Sequence, residues 1–287
     1  MSEPATVPEL RPVAGPTAAG GGRQRFLDLL YLISVTEFKK AYFGTVLGYF
    51  WSLLRPLLTF AVLLFVFTQI FNLGGAHSNT PHYPEMLLFN IVLFGLFSEA
   101  TGGAVNSVVG NEGIVRKTQF PRLVIPLSIV CTALLNYGMN MIAVVIFLVA
   151  FGVHPVWTWL LFPVIVAAVV LLASCLAMLL STLYVRFRDV AIIWGVVTTA
   201  LLYGTPVIYP LENPPVPDQY HQILLINPLT PIFVQANTWI IDRSQPGAVT
   251  TAGGWVHLLP AMAIYVGVCA LGIWLFTRDA PRVAEEL

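Results

Sequence analysis

Apolar stretches long enough to cross a bilayer alternate in this chain with loops that are either basic or almost free of Lys and Arg. A helix needs about 20 apolar residues to cross roughly 30 Å of hydrocarbon. Six stretches qualify, near 50–71, 86–109, 124–151, 157–185, 190–207 and 257–276. Of the 14 Lys and Arg residues, all but Arg243 then fall on one side of the membrane. Short basic loops stay cytoplasmic, so the pattern fixes an orientation and places both termini inside. Arg116, Lys117 and Arg122 share one inner loop, Arg186 and Arg188 the next, and Arg278 and Arg282 follow the last span. Arg55 sits close enough to the inner end of the first span to reach the headgroups. The chain is 57% hydrophobic and 10% charged, with mean hydropathy +0.80, against about 25% charged residues in soluble domains.

Several functions drop out at once. Six spans leave no room for a separate catalytic domain. Net charge is zero, which gives nucleic acid no electrostatic reason to bind. Cys131, Cys175 and Cys269 each lie inside an apolar stretch and read as small core residues. His77, His82, His154, His221 and His257 fall in or beside outer loops, without ligand spacing, so no metal site is expected. Lys117-Thr118 lacks the glycines of a phosphate loop, and the chain has no Gly-Lys dipeptide. The chain is therefore expected to hydrolyse no ATP and to bind no cofactor itself.

Residues 1–22, rich in Pro, Ala and Gly, read as a disordered cytoplasmic tail without a signal peptide. Residues 23–45 read as a basic amphipathic helix lying along the inner membrane surface. At about 100° per residue, Leu27, Leu30, Tyr31, Ser34, Val35, Phe38 and Tyr42 fall on its apolar side. Arg25, Asp28, Thr36, Lys39 and Lys40 fall on the other, with Leu29, Leu32 and Glu37 between. Residues 46–287 then form the six-span unit.

Two connections carry more than a turn needs. The outer one between spans five and six is rich in proline and contains an apolar segment, 231–241, too short to cross. Non-helical backbone such as 206–217 is tolerated at membrane depth only against protein or a water-filled cavity, so this connection is expected to re-enter the membrane. The inner loop Asn111-Glu-Gly-Ile-Val-Arg-Lys-Thr-Gln-Phe-Pro-Arg122 mixes charge with Ile114, Val115 and Phe120. A short amphipathic helix on that face suits docking into a partner's groove.

Residues 37–71 (EFKKAYFGTVLGYFWSLLRPLLTFAVLLFVFTQIF), 111–128 (NEGIVRKTQFPRLVIPLS) and 186–190 (RFRDV) occur in this order, followed by the outer 206–210 and Asn227-Pro228-Leu229. Together they resemble the permease subunit of bacterial polysaccharide and polyol-phosphate ABC exporters, which move O-antigen, capsule, teichoic acid or galactan chains. The resemblance runs from about residue 25 to the end. It implies an all-α integral membrane fold, in which six transmembrane helices form a homodimer in the bacterial plasma membrane. Two copies of a separate ATPase, holding ATP and Mg, pair with it, and the substrate is a lipid-linked polysaccharide. It also implies that Asn111, Glu112, Gly113, Ile114, Val115, Arg116 and Lys117 form the coupling helix and that 23–42 is the interface helix. Arg55 departs from the family, where many relatives have an uncharged polar residue.

Glu99 is the one carboxylate deep inside a span and needs a partner or water. It faces a conduit or dimer seam, or else bonds a Ser, Asn or Tyr on a neighbouring helix. Aromatic side chains suit a path that slides sugars by weak stacking, which nominates Tyr42, Tyr49, Trp51 and Tyr203. Arg186, Arg188 and Asp189 lie where a lipid diphosphate headgroup would arrive, and arginine binds phosphate bidentately. Two other classes remain at this level, a membrane enzyme acting on lipid-linked sugars and a passive channel. Neither accounts for an apolar docking helix on the inner face together with scattered acids.

Overall fold

The computed structural model describes residues 22–42, 48, 50–70, 82–113, 121–211 and 218–279. Every regular element among them is helical. The chain opens with α1 (Arg23–Tyr42), α2 (Phe50–Phe65, continued by a π-helical turn at Val66–Ile70), α3 (Tyr83–Val105) and the short α4 (Ser107–Gly110). Then come α5 (Val124–Ala150) and α6 (Phe162–Arg186, preceded by a 3₁₀ turn at Trp157–Leu161). The rest is α7 (Val190–Gly204), α8 (Asp218–Ile226), α9 (Leu229–Ile240), α10 (Ala248–Thr251) and α11 (Trp255–Asp279).

Five of these segments are long and apolar enough to cross a membrane: Phe50–Ile70, Tyr83–Val105, Val124–Ala150, Trp157–Arg186 and Trp255–Asp279. The fifth expected span, 190–207, stops at Gly204, after 15 residues, which is about 22 Å of helix against roughly 30 Å of hydrocarbon. The break has a local cause. Thr205 leaves the helix with extended backbone, and Pro206 has no N–H to continue it.

Helix α3 is the centre of the molecule. Leu87, Leu88, Phe89, Leu93, Leu96, Phe97, Ala100 and Ala104 are buried against α5 and α6. Helices α6 and α11 form a second close pair. A Cβ on Gly272 would stand 2.2 Å from the Cys175 carbonyl oxygen, so only glycine permits this approach. Tyr265 Oη donates to the Ala168 carbonyl across the same seam at 2.9 Å. Gly152, at φ +93°, ends α5 in a conformation that other residues rarely adopt.

The outer connection folds back onto this core. Thr205, Val207, Ile208 and Leu211 are buried although they are not helical. Their backbone finds partners in α3, where Tyr83 Oη donates to the Ile208 carbonyl at 2.8 Å and Asn90 Nδ2 to that of Pro206 at 3.2 Å. Asn227 Nδ2 donates to Thr205 Oγ1 at 2.8 Å, and its Oδ1 accepts from the Leu229 N–H at 3.0 Å. The apolar segment expected at 231–241 is α9, whose Leu229, Phe233, Ala236 and Ile240 are buried. Helices α8 and α9 have 9 and 12 residues, or about 14 and 18 Å, too short to cross.

Helix α1 lies against α5, and its contacts refine the face given by the helical wheel. Ser34 Oγ donates to the Ser128 carbonyl at 3.3 Å, and Tyr42 Oη to Asn136 Oδ1 at 2.7 Å. Both pairs are 94 positions apart, so α1 runs alongside α5 in the same direction. Asn136 is 12 residues past Val124, which carries Tyr42 about 18 Å along α5. The packed side is Phe26, Leu29, Leu30 and Ile33, set against Val108, Val124, Ile125 and Val185. Leu27 and Tyr31, placed on the apolar side by the helical wheel, are exposed instead. The wheel shows which residues are apolar but not which neighbour α1 meets, and here the hydroxyls of Ser34 and Tyr42 help set the rotation.

Candidate functional site

A groove of about 590 Å³ lined by several polar side chains lies between α2, α3 and α5. Helix α2 contributes Ser52, Arg55 and Thr59, α3 contributes Ser98 and Glu99, and α5 contributes Asn136, Tyr137 and Asn140. Asn136 Nδ2 donates to Glu99 Oε1, while its own Oδ1 accepts from Tyr42 Oη at 2.7 Å. A single amide therefore joins α1, α3 and α5. Arg55 and Glu99 line the same groove from α2 and α3. The pair places a positive and a negative charge on facing walls, where either alone would be costly.

Two further clefts flank the same helix. One of about 380 Å³ lies between α3 and α7 and is lined by Ser98, Gly102, Asn106, Trp194, Thr198 and Thr199, among others. Another of about 520 Å³ lies between α1, α4 and α5, with Thr36, Glu37 and Lys40 facing Asn106, Ser107 and Asn111. Lys40 Nζ meets Glu37 Oε1 there at 2.8 Å. Glu99, Gly102, Gly103 and Asn106 are exposed along one side of an otherwise buried helix. Small and polar residues at that spacing are poorly suited to lipid and well suited to protein or water.

The expected site residues separate in this geometry. Glu99 and Tyr42 come together in the central groove through Asn136. Trp51 and Tyr203 are exposed outside its lining, and Tyr49 lies outside the described residues. Asn111 closes the turn after α4, its Nδ2 donating to the Ser107 carbonyl at 2.8 Å. Glu112 and Gly113 are helical. Ile114, Val115, Arg116 and Lys117 lie outside the described residues. At the C-terminal end of α6, Arg186 Nη2 lies 3.2 Å from Oδ2 of the buried Asp279, which ties α6 to α11. The Arg188 guanidinium sits 5.6 Å from the Tyr184 ring centre, and Arg188 and Asp189 are both exposed.

Sequence reasoning missed Asn136, Tyr137 and Asn140. The signal was present: Asn136 and Asn140 lie one turn apart on one face of an otherwise apolar helix.

The model of the ABC-2 type transporter family matches residues 28–236. The chain belongs to that family. Among its curated relatives are O-antigen export system permease proteins named RfbA. One, from Myxococcus xanthus, is 27% identical over 224 residues, covering 78% of this chain and 84% of its own length. Another, from Klebsiella pneumoniae, is 28% identical over 261 residues, covering 91% and 95%. A further Klebsiella pneumoniae relative is 28% identical over 208 residues, covering 72% and 78%. As an ABC-2 permease, the chain is a multi-pass transport subunit that associates with an ATPase subunit. Catalysis by the chain itself and passive channel function are both set aside by this membership.

Proposed function

We propose that this permease exports a lipid-linked polysaccharide, of O-antigen, galactan or similar type, across the bacterial plasma membrane. It acts as a homodimer joined to two copies of a cytoplasmic ATPase, with both termini on the cytoplasmic side. ATP and Mg belong to the ATPase. The observation that carries this reading is the polar groove at membrane depth in an ABC-2 chain whose relatives are named for O-antigen export. A polymer much longer than the bilayer is thick cannot be enclosed in one cavity. The path is therefore a continuous conduit at the dimer seam, fed stepwise after the lipid anchor enters. The exposed small and polar stripe of α3 supports such a seam, because a second copy or a water-filled path gives those groups partners.

Residues 111–117 are the coupling segment in this reading, with Ile114 and Val115 seated in the ATPase. Arg186, Arg188 and Asp189 are all exposed in the headgroup-receiving loop, and Arg186 also pairs with Asp279. Replacing both Ile114 and Val115 with Asp buries two charges in the docking surface. Export and stimulated ATP hydrolysis should fall at least tenfold, measured on co-purified complexes, while the permease dimer survives. Normal recruitment and stimulation by the double variant would refute the docking role. For the function itself, depletion of the chain should strip the polymer from the cell surface and cause it to accumulate inside.

A further inference from the structure

The groove between α2, α3 and α5 contains more hydrogen-bonding capacity than the protein uses. Tyr137 is 4% exposed and lines the groove, and its Oη has no hydrogen-bond partner. Asn140, one turn further along α5, is in the same position at Oδ1. Buried polar atoms without partners are uncommon, because each forfeits its hydration. Two such atoms in one groove mark a place where a ligand supplies the missing bonds.

The charges identify the ligand. Arg55 is the one basic side chain among the described residues lining the groove, and an acidic side chain, Glu99, stands in the same lining, so no cluster of basic groups marks it for a phosphate or a free carboxylate. What remains is a mixed set: carboxylate acceptor, guanidinium donor, two amides and a phenol. A sugar hydroxyl both donates and accepts, and a pyranose ring presents several hydroxyls around an apolar face. The volume, about 590 Å³, falls within the range of small-molecule sites.

We infer that this groove is a neutral-sugar subsite, in which Arg55, Glu99, Asn136, Tyr137 and Asn140 hydrogen-bond one unit of the passing chain. The inference rests on the export reading and deepens it. Aromatic stacking alone tolerates any sugar, whereas a built set of hydrogen-bonding groups rejects units that lack the matching hydroxyl. The groove thus makes the path selective for the polymer it admits.

The test uses cells that make and display the polymer. A photo-crosslinking residue replaces Leu63, which lines the groove, or Val62, its exposed neighbour on α2 outside that lining. After irradiation the permease is purified and stained for attached glycan by periodate oxidation. Labelling is expected at position 63 and absent at position 62. Tyr137→Phe combined with Glu99→Gln should cut labelling and surface polymer at least fivefold, with the permease–ATPase complex recovered in normal amount. Tyr137→Phe removes only an oxygen that bonds nothing in the protein, so folding is not at issue for that change. Equal labelling at both positions, no labelling at 63 in exporting cells, or undiminished labelling in the double variant would overturn the subsite. Those results leave the export reading intact. Unchanged surface polymer after depletion of the whole chain would sink that reading instead.

Discussion

At the scale of single residues, the strongest constraint is steric. Gly272 lets α11 lie against the backbone of α6, and a methyl group there would meet the Cys175 carbonyl at 2.2 Å. The two helices would have to move apart, losing contacts along the seam, at a cost of about 1–3 kcal/mol. Alanine recovers up to about 1 kcal/mol of helix propensity over glycine, so the net effect stays destabilising. Gly267, on the same helix, has nothing within 4 Å of the equivalent position. Gly272→Ala should therefore lower the unfolding temperature of the purified permease, and Gly267→Ala should leave it unchanged or raise it slightly. Equal behaviour of the two variants would contradict the close packing of α6 on α11.

Among the elements, the sequence showed what lipid dictates and hid what neighbouring helices dictate. The apolar stretches were legible because the bilayer sets their length and composition, and five of them are helices of spanning length. The end of α7 at Gly204 was less clear, since Thr205–Leu211 is as apolar as a helix but is held by hydrogen bonds from Tyr83, Asn90 and Asn227. Those partners lie far away in sequence. The face of α1 was largely legible, since Leu30, Ser34, Val35, Phe38 and Tyr42 are at least partly buried while Arg25, Asp28, Thr36, Lys39 and Lys40 are exposed. Leu27 and Tyr31 depart because the exact rotation depends on α5. In the groove, Glu99 stood out by its charge, but its partner Asn136 was chosen by packing. Asn227 offers the direct test at this scale. Asn227→Ala removes its bonds to Thr205 Oγ1, the Gly204 carbonyl and the Leu229 N–H, which costs about 1–3 kcal/mol for the buried groups left behind. Amide exchange at Val207 and Ile208 should quicken by roughly tenfold or more. Amides in α3 should keep their protection. Unchanged exchange at Val207 would mean that the turn is held by α3 alone.

For the whole molecule, the charge pattern predicts an orientation and the fold makes that orientation testable. With the six spans read from the sequence, all the Lys and Arg residues but Arg243 are expected on one side. Translocating them would work against the same asymmetry that sets topology in short loops. The ion pair between Arg186 and Asp279 is consistent with this, because it joins the ends of α6 and α11 on a single face. In the proposed reading that face is also the one the ATPase meets, since residues 111–113 follow α4, whose Val108 packs with Val185 near the same end of α6. Inverting the orientation would put the docking loop and the Arg186 loop outside, where no ATP-driven partner exists. The three native cysteines, Cys131, Cys175 and Cys269, lie within α5, α6 and α11, so they are first replaced by serine or alanine. Single cysteines are then introduced and treated in intact cells with a membrane-impermeant maleimide. Positions 77–82 and 212–220 should react, and positions 112–117 and 186–189 should react only after the membrane is opened. Labelling of Lys117→Cys in sealed cells would invert the topology and separate the coupling segment from its ATPase.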